Sequence, residues 1–372
     1  MLYLLHLLKE DLPVLNIFQY VTFRSFGAGV FAFFLSALMG GRVISLLERW
    51  KSREKIRPDG PEGHAVKSGT PTMGGLFIVL GIIISTLLWG NLNEPVVVFS
   101  IVFTAVFGFI GFVDDRMKLS RSRGMSAGLK FFIQCAAAVI LVFIFLRIQE
   151  GGFTMYVRAG EEAIEYSFTS VAFPFFKEAV FEFGWVYFIL ALFVTIGTSN
   201  AVNLTDGLDG LAISSIIVTV GTYYILAFVA GNANLANYLH IPYVRNAGEF
   251  AVFLAAVGGA CLGFLWHNAY PARVFMGDTG SLALGASIGL AALVTKQEVL
   301  LVIIGGIFVA ETVSVLAQVL FFRSTGGRRL FKMAPLHHHF EKTGWHESQI
   351  VIRFWIVSFV LALMALATLK IR

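Results

Sequence analysis

VVVFSIVFTAVFGFIGFVDD, residues 96–115, carries no charge from Val96 to Val113 and then stops at two adjacent carboxylates, Asp114 and Asp115. An α-helix needs about 20 apolar residues to cross roughly 30 Å of hydrocarbon. The run is therefore expected to span a bilayer and to deliver two acids to the water interface. On the same criterion, spans are expected near residues 20–46, 71–90, 128–147, 183–199, 209–230, 249–267, 281–295, 299–322 and 351–369. The expectation is an all-α polytopic membrane protein of about ten transmembrane helices, with residues 1–372 forming a single integral membrane domain. Several spans contain Gly, which membrane helices use for close packing.

Composition points the same way. With 14% charged and 57% hydrophobic residues and a mean hydropathy of +0.78, a soluble domain of this length would lack the polar surface it needs, so the chain must face lipid. Cys135 and Cys261 lie in apolar stretches and behave as small hydrophobes, not as a disulfide framework or a zinc site. The net charge of +5 comes from basic residues gathered beside spans, as orientation signals are, which argues against a nucleic-acid partner. No cleavable signal is evident, since Lys9, Glu10 and Asp11 interrupt the first residues, so the first span is expected to stay in the mature protein.

Lys and Arg set the orientation. The loop after the first span carries Arg42, Arg49, Lys51, Arg53, Lys55, Arg57 and Lys67 and should be cytoplasmic. Alternation puts Arg116, Lys118, Arg121, Arg123 and Lys130 on that side, and also Arg323, Arg328, Arg329, Lys332 and Lys342. An even span count sends both termini to the opposite side, which Lys370 and Arg372 mildly contradict. Phe153–Ser170 alternates apolar and polar residues around Ala159-Gly160, which predicts a small outward-facing β-hairpin.

Polar clusters beside spans are costly and ask for a reason. Asp114 and Asp115 would repel each other unless a cation or proton intervenes; they suit Mg²⁺ or base chemistry, or are a solvated helix end. Asn203, Asp206 and Asp209 are spaced by three and would share one face of a helical turn, with glycines that let backbone N–H groups approach a ligand. Asp278, between Gly277 and Gly280 at a helix start, either caps that helix or offers a carboxylate to a metal. His337, His338 and His339 suit hydrogen bonding to phosphate, with a solvated loop as the alternative. Lys67 ahead of Thr70-Pro71-Thr72 suits an anion site at a helix N-terminus, or is a positive-inside lysine. No Walker A sequence occurs, so ATP-driven chemistry is not expected. Acids for a cation and bases for anions on a lipid-facing scaffold point to moving a phosphate between a soluble and a membrane-embedded partner. A transporter would also suit ten spans with polar residues, but transporter sites lie near the midplane and these clusters sit at one rim.

Together these motifs resemble the phospho-N-acetylmuramoyl-pentapeptide transferases, the translocase I enzymes of bacterial peptidoglycan synthesis, along nearly the whole chain. The resemblance rests on Arg57-Pro58-Asp59-Gly60-Pro61 through Lys67, Thr70-Pro71-Thr72-Met73-Gly74-Gly75, Gly111-Phe112-Val113-Asp114-Asp115, residues 203–210 (NLTDGLDG), residues 274–281 (VFMGDTGS) and residues 334–339 (APLHHH). Broader relatives that transfer N-acetylhexosamine-1-phosphate to polyprenyl phosphate share the acidic motifs, while the unbroken His triplet and the first loop resemble the muramoyl-pentapeptide branch. The resemblance implies ten spans in the bacterial inner membrane, a homodimer, Mg²⁺, and transfer from UDP-MurNAc-pentapeptide to undecaprenyl phosphate at the cytoplasmic face, giving lipid I and UMP. It implies Asp278 as the Mg²⁺ ligand, with Asp114 and Asp115 acting on the lipid phosphate and its proton. Asn203, Asp206 and Asp209 would hold the uridine-diphosphate end, and Phe275 would stack on uracil. Lys67, Thr72, Asn268, His337, His338 and His339 would line the sugar-phosphate and peptide side, His337 with a catalytic part. Lys118, Lys130 and Gly207 would join in substrate binding. Direct in-line attack and a covalent Asp-phosphosugar intermediate both remain open. Arg116 and His267 stand where the family usually has an aromatic residue.

Overall fold

The structure is a computed structural model that describes residues 1–50, 69–121, 124–150, 155–159, 162–174, 180–239 and 241–370. Thirteen α-helices run through the described residues: α1 Val21–Arg49, α2 Gly75–Trp89, α3 Pro95–Arg121, α4 Ala127–Glu150, α5 Val186–Thr205, α6 Leu211–Ala230, α7 Ala233–Leu239, α8 Ala247–Asn268, α9 Gly277–Thr295, α10 Leu301–Ile304, α11 Gly306–Ser324, α12 Leu336–Lys342 and α13 Glu347–Ala367. Among them nine are long and apolar enough to cross a membrane, and α2 is a shorter apolar helix. The chain is a multi-pass α-helical membrane protein.

α9 is the central post. Every residue from Asp278 to Thr295 is buried, with α3 and α5 on its flanks and α2, α6 and α8 against it. Lipid tails supply no hydrophobic drive for helix association, so packing depends on small residues that let backbones approach. Gly285 meets the α5 backbone: a Cβ there would lie 2.5 Å from Thr198 O. Thr104 on α3 adds a hydroxyl contact of 3.0 Å to Ser287 on α9. α13 shows the opposite habit, exposing Ile352, Trp355, Ile356, Phe359, Val360 and Leu363 as a surface for lipid.

Two expected spans differ in the structure. Residues 71–74 are not helical, because their backbone pairs with the strand-like approach to α9: Phe275 N donates to Pro71 O (2.8 Å), Gly74 N to Phe275 O (2.8 Å) and Gly75 N to Met276 O (2.8 Å). The span expected at 299–322 breaks at Gly305 into α10 and α11.

The expected hairpin forms from β1 (Met155–Ala159) and β2 (Glu162–Tyr166), paired antiparallel, and β5 (Tyr243–Val244) joins β1 as a third strand. β3 (Ser170–Ala172) and β4 (Val180–Glu182) make a separate pair. The β1–β2 pair follows the far end of α4, away from Lys130 in its first turn, so it lies at the end of the bundle opposite the acids. Lys296, just past α9 at that end, anchors the segment before β3: its ammonium donates to Phe168 O (2.7 Å), meets Glu298 at 3.1 Å and lies 3.9 Å from the Tyr187 ring centroid. Arg24 of α1 and Glu249 of α8 form a fork at 2.7 and 2.5 Å that ties these helices together.

Candidate active site

Helix ends build the site. On α3, Asp114, Asp115 and Lys118 fall within one turn, so i,i+3 and i,i+4 spacing brings the ammonium back over both acids, 3.4 Å from Asp115 and 3.0 Å from Asp114. The start of α9 presents Asp278 to the same ammonium at 2.9 Å. Lys130, in the first turn of α4, also contacts Asp278 and lies 3.7 Å from Asp114. Asn203, in the last turn of α5, donates through Nδ2 to Asp278 Oδ1 (2.9 Å) and Ser281 Oγ (2.8 Å). Three carboxylates face two ammonium groups in a cleft that buries the acids, Asp114 and Asp115 each 2% exposed, and opens to water at Lys118.

The two adjacent acids do different things. Asp115 accepts from Asp278 N (3.2 Å), Thr279 N (2.9 Å) and Thr279 Oγ1 (2.8 Å). The first N–H groups of a helix have no partner within it, and Met276 at the α9 N-cap offers no side-chain bond. Asp115 caps α9 from another helix, and that frees the Asp278 carboxylate to face the lysines. Asp114 instead accepts Met125 N at Oδ1 (2.6 Å) and turns Oδ2 toward both ammonium groups. Asp115→Asn puts an amide donor against one of these N–H groups and removes the charge that favours a helix N-terminus. The expected cost is about 1–3 kcal/mol, read as a lower thermal unfolding midpoint in detergent; an unchanged midpoint rules the cap out.

Asn203, Asp206 and Asp209 do not share one helical face, in contrast to the expectation from their spacing. α5 ends at Thr205, and Gly210 sits in the left-handed region at φ 80° before α6 begins. The three side chains are thereby separated: Asn203 goes to Asp278, Asp206 ends the helix, and Asp209 Oδ2 accepts Ala272 N (3.0 Å). Asp209 N donates to Glu347 on α13 (2.7 Å). Asn268 closes the same junction, accepting Gly210 N (3.1 Å) and donating to Val274 O (2.9 Å). Thr72 reaches the α9 start, since a Cβ on Gly277 would lie 3.1 Å from its Oγ1. Phe275 is half-buried beside it. His267, at the family's aromatic position, uses Nε2 to reach Ala37 O (2.8 Å) and so fastens α8 to α1.

The three histidines have three different partners. His337 pairs with Glu311 of α11 at 3.1 Å, His338 with Glu341 at 2.7 Å, and His339 accepts Lys332 N at 3.1 Å. Lys67 lies outside the described residues, as does the Arg57–Pro61 motif. Glu311, Glu347, Ser281 and Thr279 were missed by sequence reasoning. Glu311 carried a usable signal, a lone carboxylate in the apolar run of residues 306–317; Glu347 carried none.

Residues 97–296 match the profile of glycosyl transferase family 4, and residues 67–79 match the phospho-N-acetylmuramoyl-pentapeptide-transferase signature 1. The chain is 48% identical over 372 residues to the phospho-N-acetylmuramoyl-pentapeptide-transferase of Desulfotalea psychrophila, covering 100% of this chain and 99% of that one. It is 46% identical to that of Syntrophus aciditrophicus, covering 100% of both. Against the Leptospira biflexa protein of the same name it is 48% identical, covering 98% of this chain and 97% of the relative.

Proposed function

The chain belongs to the phospho-N-acetylmuramoyl-pentapeptide-transferase family, and on that premise we propose that its transfer takes place where Asp114, Asn203 and Asp278 meet. The reaction moves phospho-MurNAc-pentapeptide from UDP-MurNAc-pentapeptide to undecaprenyl phosphate, forming lipid I and UMP in peptidoglycan synthesis. One observation carries the assignment of the site: Lys118 draws Asp114 of α3 and Asp278 of α9 to within 3.0 and 2.9 Å of a single ammonium group. A site that collects cations between carboxylates is suited to a doubly charged ion and to the diphosphate it accompanies.

Mg²⁺ fits this donor set. Asp114 Oδ2 and Asp278 Oδ2 are hard oxygens that already share positive partners. Mg²⁺ commonly takes one or two carboxylates together with water and substrate phosphates. Asp278 would hold the ion, with Asp114 beside it. Bound there, Mg²⁺ supplies neutralisation of the diphosphate and of the departing UMP.

The protein's own groups do the rest. Asp114 Oδ2, the oxygen not committed to Met125 N, would take the proton of the lipid phosphate; one of its oxygens then attacks the β-phosphorus in line, and the bond to UMP breaks as the new pyrophosphate bond forms. Asp115 acts through the α9 start, and Asn203 orients Asp278. Lys118 and Lys130 would meet phosphate oxygens. Asp206, Gly207, Asp209 and Asn268 would shape the uridine side, with Phe275 against the base. Lys67, Thr72, His338 and His339 would line the sugar and peptide side. Because these residues come from helices along most of the chain, residues 1–372 would work as one membrane domain, as a homodimer in the bacterial inner membrane. The basic residues at this end of the bundle support a cytoplasmic face for the site.

In detergent with Mg²⁺, UMP should leave UDP-MurNAc-pentapeptide only when polyprenyl phosphate is added. Release from UDP-GlcNAc in its place would move the chain to a different branch, and no release from either would dismiss the transferase assignment.

A further inference from the structure

Resting on the transferase reading above, we infer that Glu311 is a positioning residue for the reaction: it fixes the His337 imidazole so that Nε2 faces the Gly207 loop, toward a phosphate oxygen of the sugar nucleotide.

Both Glu311 oxygens are given to one residue. Oε1 accepts the backbone N–H of His337 (3.2 Å) and Oε2 meets its Nδ1 (3.1 Å). Glu311 is 0% exposed within α11, and His337 is 1% exposed at the start of α12. A carboxylate in such surroundings is costly unless its partners compensate. An ionised carboxylate only accepts, so opposite an ionised Glu311 it is Nδ1 that carries the hydrogen. Nε2 is then an acceptor in the neutral ring and a donor in the imidazolium, the form that donates to a phosphate oxygen.

The far side of the ring gives the direction. His337 Nε2 is buried and has no hydrogen-bond partner among the described residues, although buried polar atoms are nearly always paired. It abuts Gly207, where a Cβ would lie 2.3 Å from Nε2 and 3.0 Å from Cε1. Gly207 is therefore the gap through which the ring reaches the segment between Asn203, bonded to Asp278, and Asp209, bonded to Ala272. His338 pairs with Glu341 on its own helix, and His339 accepts the backbone N–H of Lys332.

A purely structural pair that fastens α12 to α11 would lower stability when broken but would leave turnover per folded molecule independent of His337. A double-mutant cycle on UMP release separates the two. Glu311→Gln keeps the shape but offers one acceptor and one donor where two acceptors are needed. Its kcat should fall roughly 10–100-fold, the range for groups that orient a functional histidine, with the KM for UDP-MurNAc-pentapeptide changing less. On a His337→Asn background the same substitution should cost no more than about twofold, because the group it orients is gone. Should Glu311→Gln fail to fold in detergent, Glu311→Asp, which keeps the charge and shortens its reach to His337, takes its place in the same cycle, with a kcat loss that adds nothing to His337→Asn. Losses that multiply across the two sites, or an unaffected kcat in folded Glu311→Gln, overturn the inference while wild-type UMP release stands. Absence of wild-type release removes the transferase reading and this inference with it.

Discussion

Asp278→Asn should lower UMP release by about three orders of magnitude or more while the protein still folds. Asp278 Oδ1 accepts from Asn203 (2.9 Å), and Oδ2 faces Lys118 (2.9 Å) and Lys130. An amide cannot serve both sides, since its NH₂ group confronts either the Asn203 donor or the two ammonium groups. Hydrogen bonds to a charged group contribute about 1.5–3 kcal/mol each. Losing two of them where charge develops raises the barrier by about 4 kcal/mol, and each 1.36 kcal/mol is tenfold in rate. A second readout separates the metal from the fold: Mn²⁺ titrated into the purified protein should bind at least tenfold more weakly to the variant, with only a modest shift in the thermal midpoint. Near-normal Mg²⁺-dependent turnover in Asp278→Asn would remove Asp278 from the metal and the centre of the proposal with it.

Gly111→Ala is the second large expected effect, and it removes no polar side chain. A Cβ at Gly111 would lie 2.1 Å from Asp278 O, 2.4 Å from its carbonyl carbon and 2.6 Å from Thr279 N. These are backbone atoms at the start of a helix buried on every side, so they cannot rotate away as a flexible side chain could. α3 must back off by roughly 1 Å to restore ordinary contact distances, taking Asp114, Asp115 and Lys118 with it. A misplacement of about 1 Å can cost about 100-fold in rate, and overpacking costs about 1–3 kcal/mol. The expected outcome is a loss of turnover of that order with a lowered midpoint. Gly221→Ala on α6 is the control, because among the described residues nothing lies within 4 Å of the added methyl; its turnover and midpoint should match the wild type. Full activity in Gly111→Ala would mean that the α3–α9 approach does not govern the geometry of the acids.

Most helices were legible because the bilayer imposes a length and an apolar composition that a linear sequence displays directly. The failures were local and have a common origin. Residues 71–74 are apolar enough to extend α2, yet their backbone is taken up by residues 275 and 276 from 200 positions along the chain, a pairing no local pattern announces. The i,i+3 spacing of Asn203, Asp206 and Asp209 implied a continuous helix, whereas the turn between α5 and α6, closed by a left-handed Gly210, separates them.

The linear sequence was sufficient to establish the membrane class, the hairpin and the family, since each is written in composition, periodicity or contiguous motif. The division of labour between Asp114 and Asp115 needed the folded chain: they are neighbours of the same chemistry, and one turns to lysines while the other caps α9. Glu311 likewise acquires its partner only when α11 and α12 meet. Hydrogen-bond donors and charges act over a few ångströms, and which of them come that close is set by helix packing, not by order along the chain.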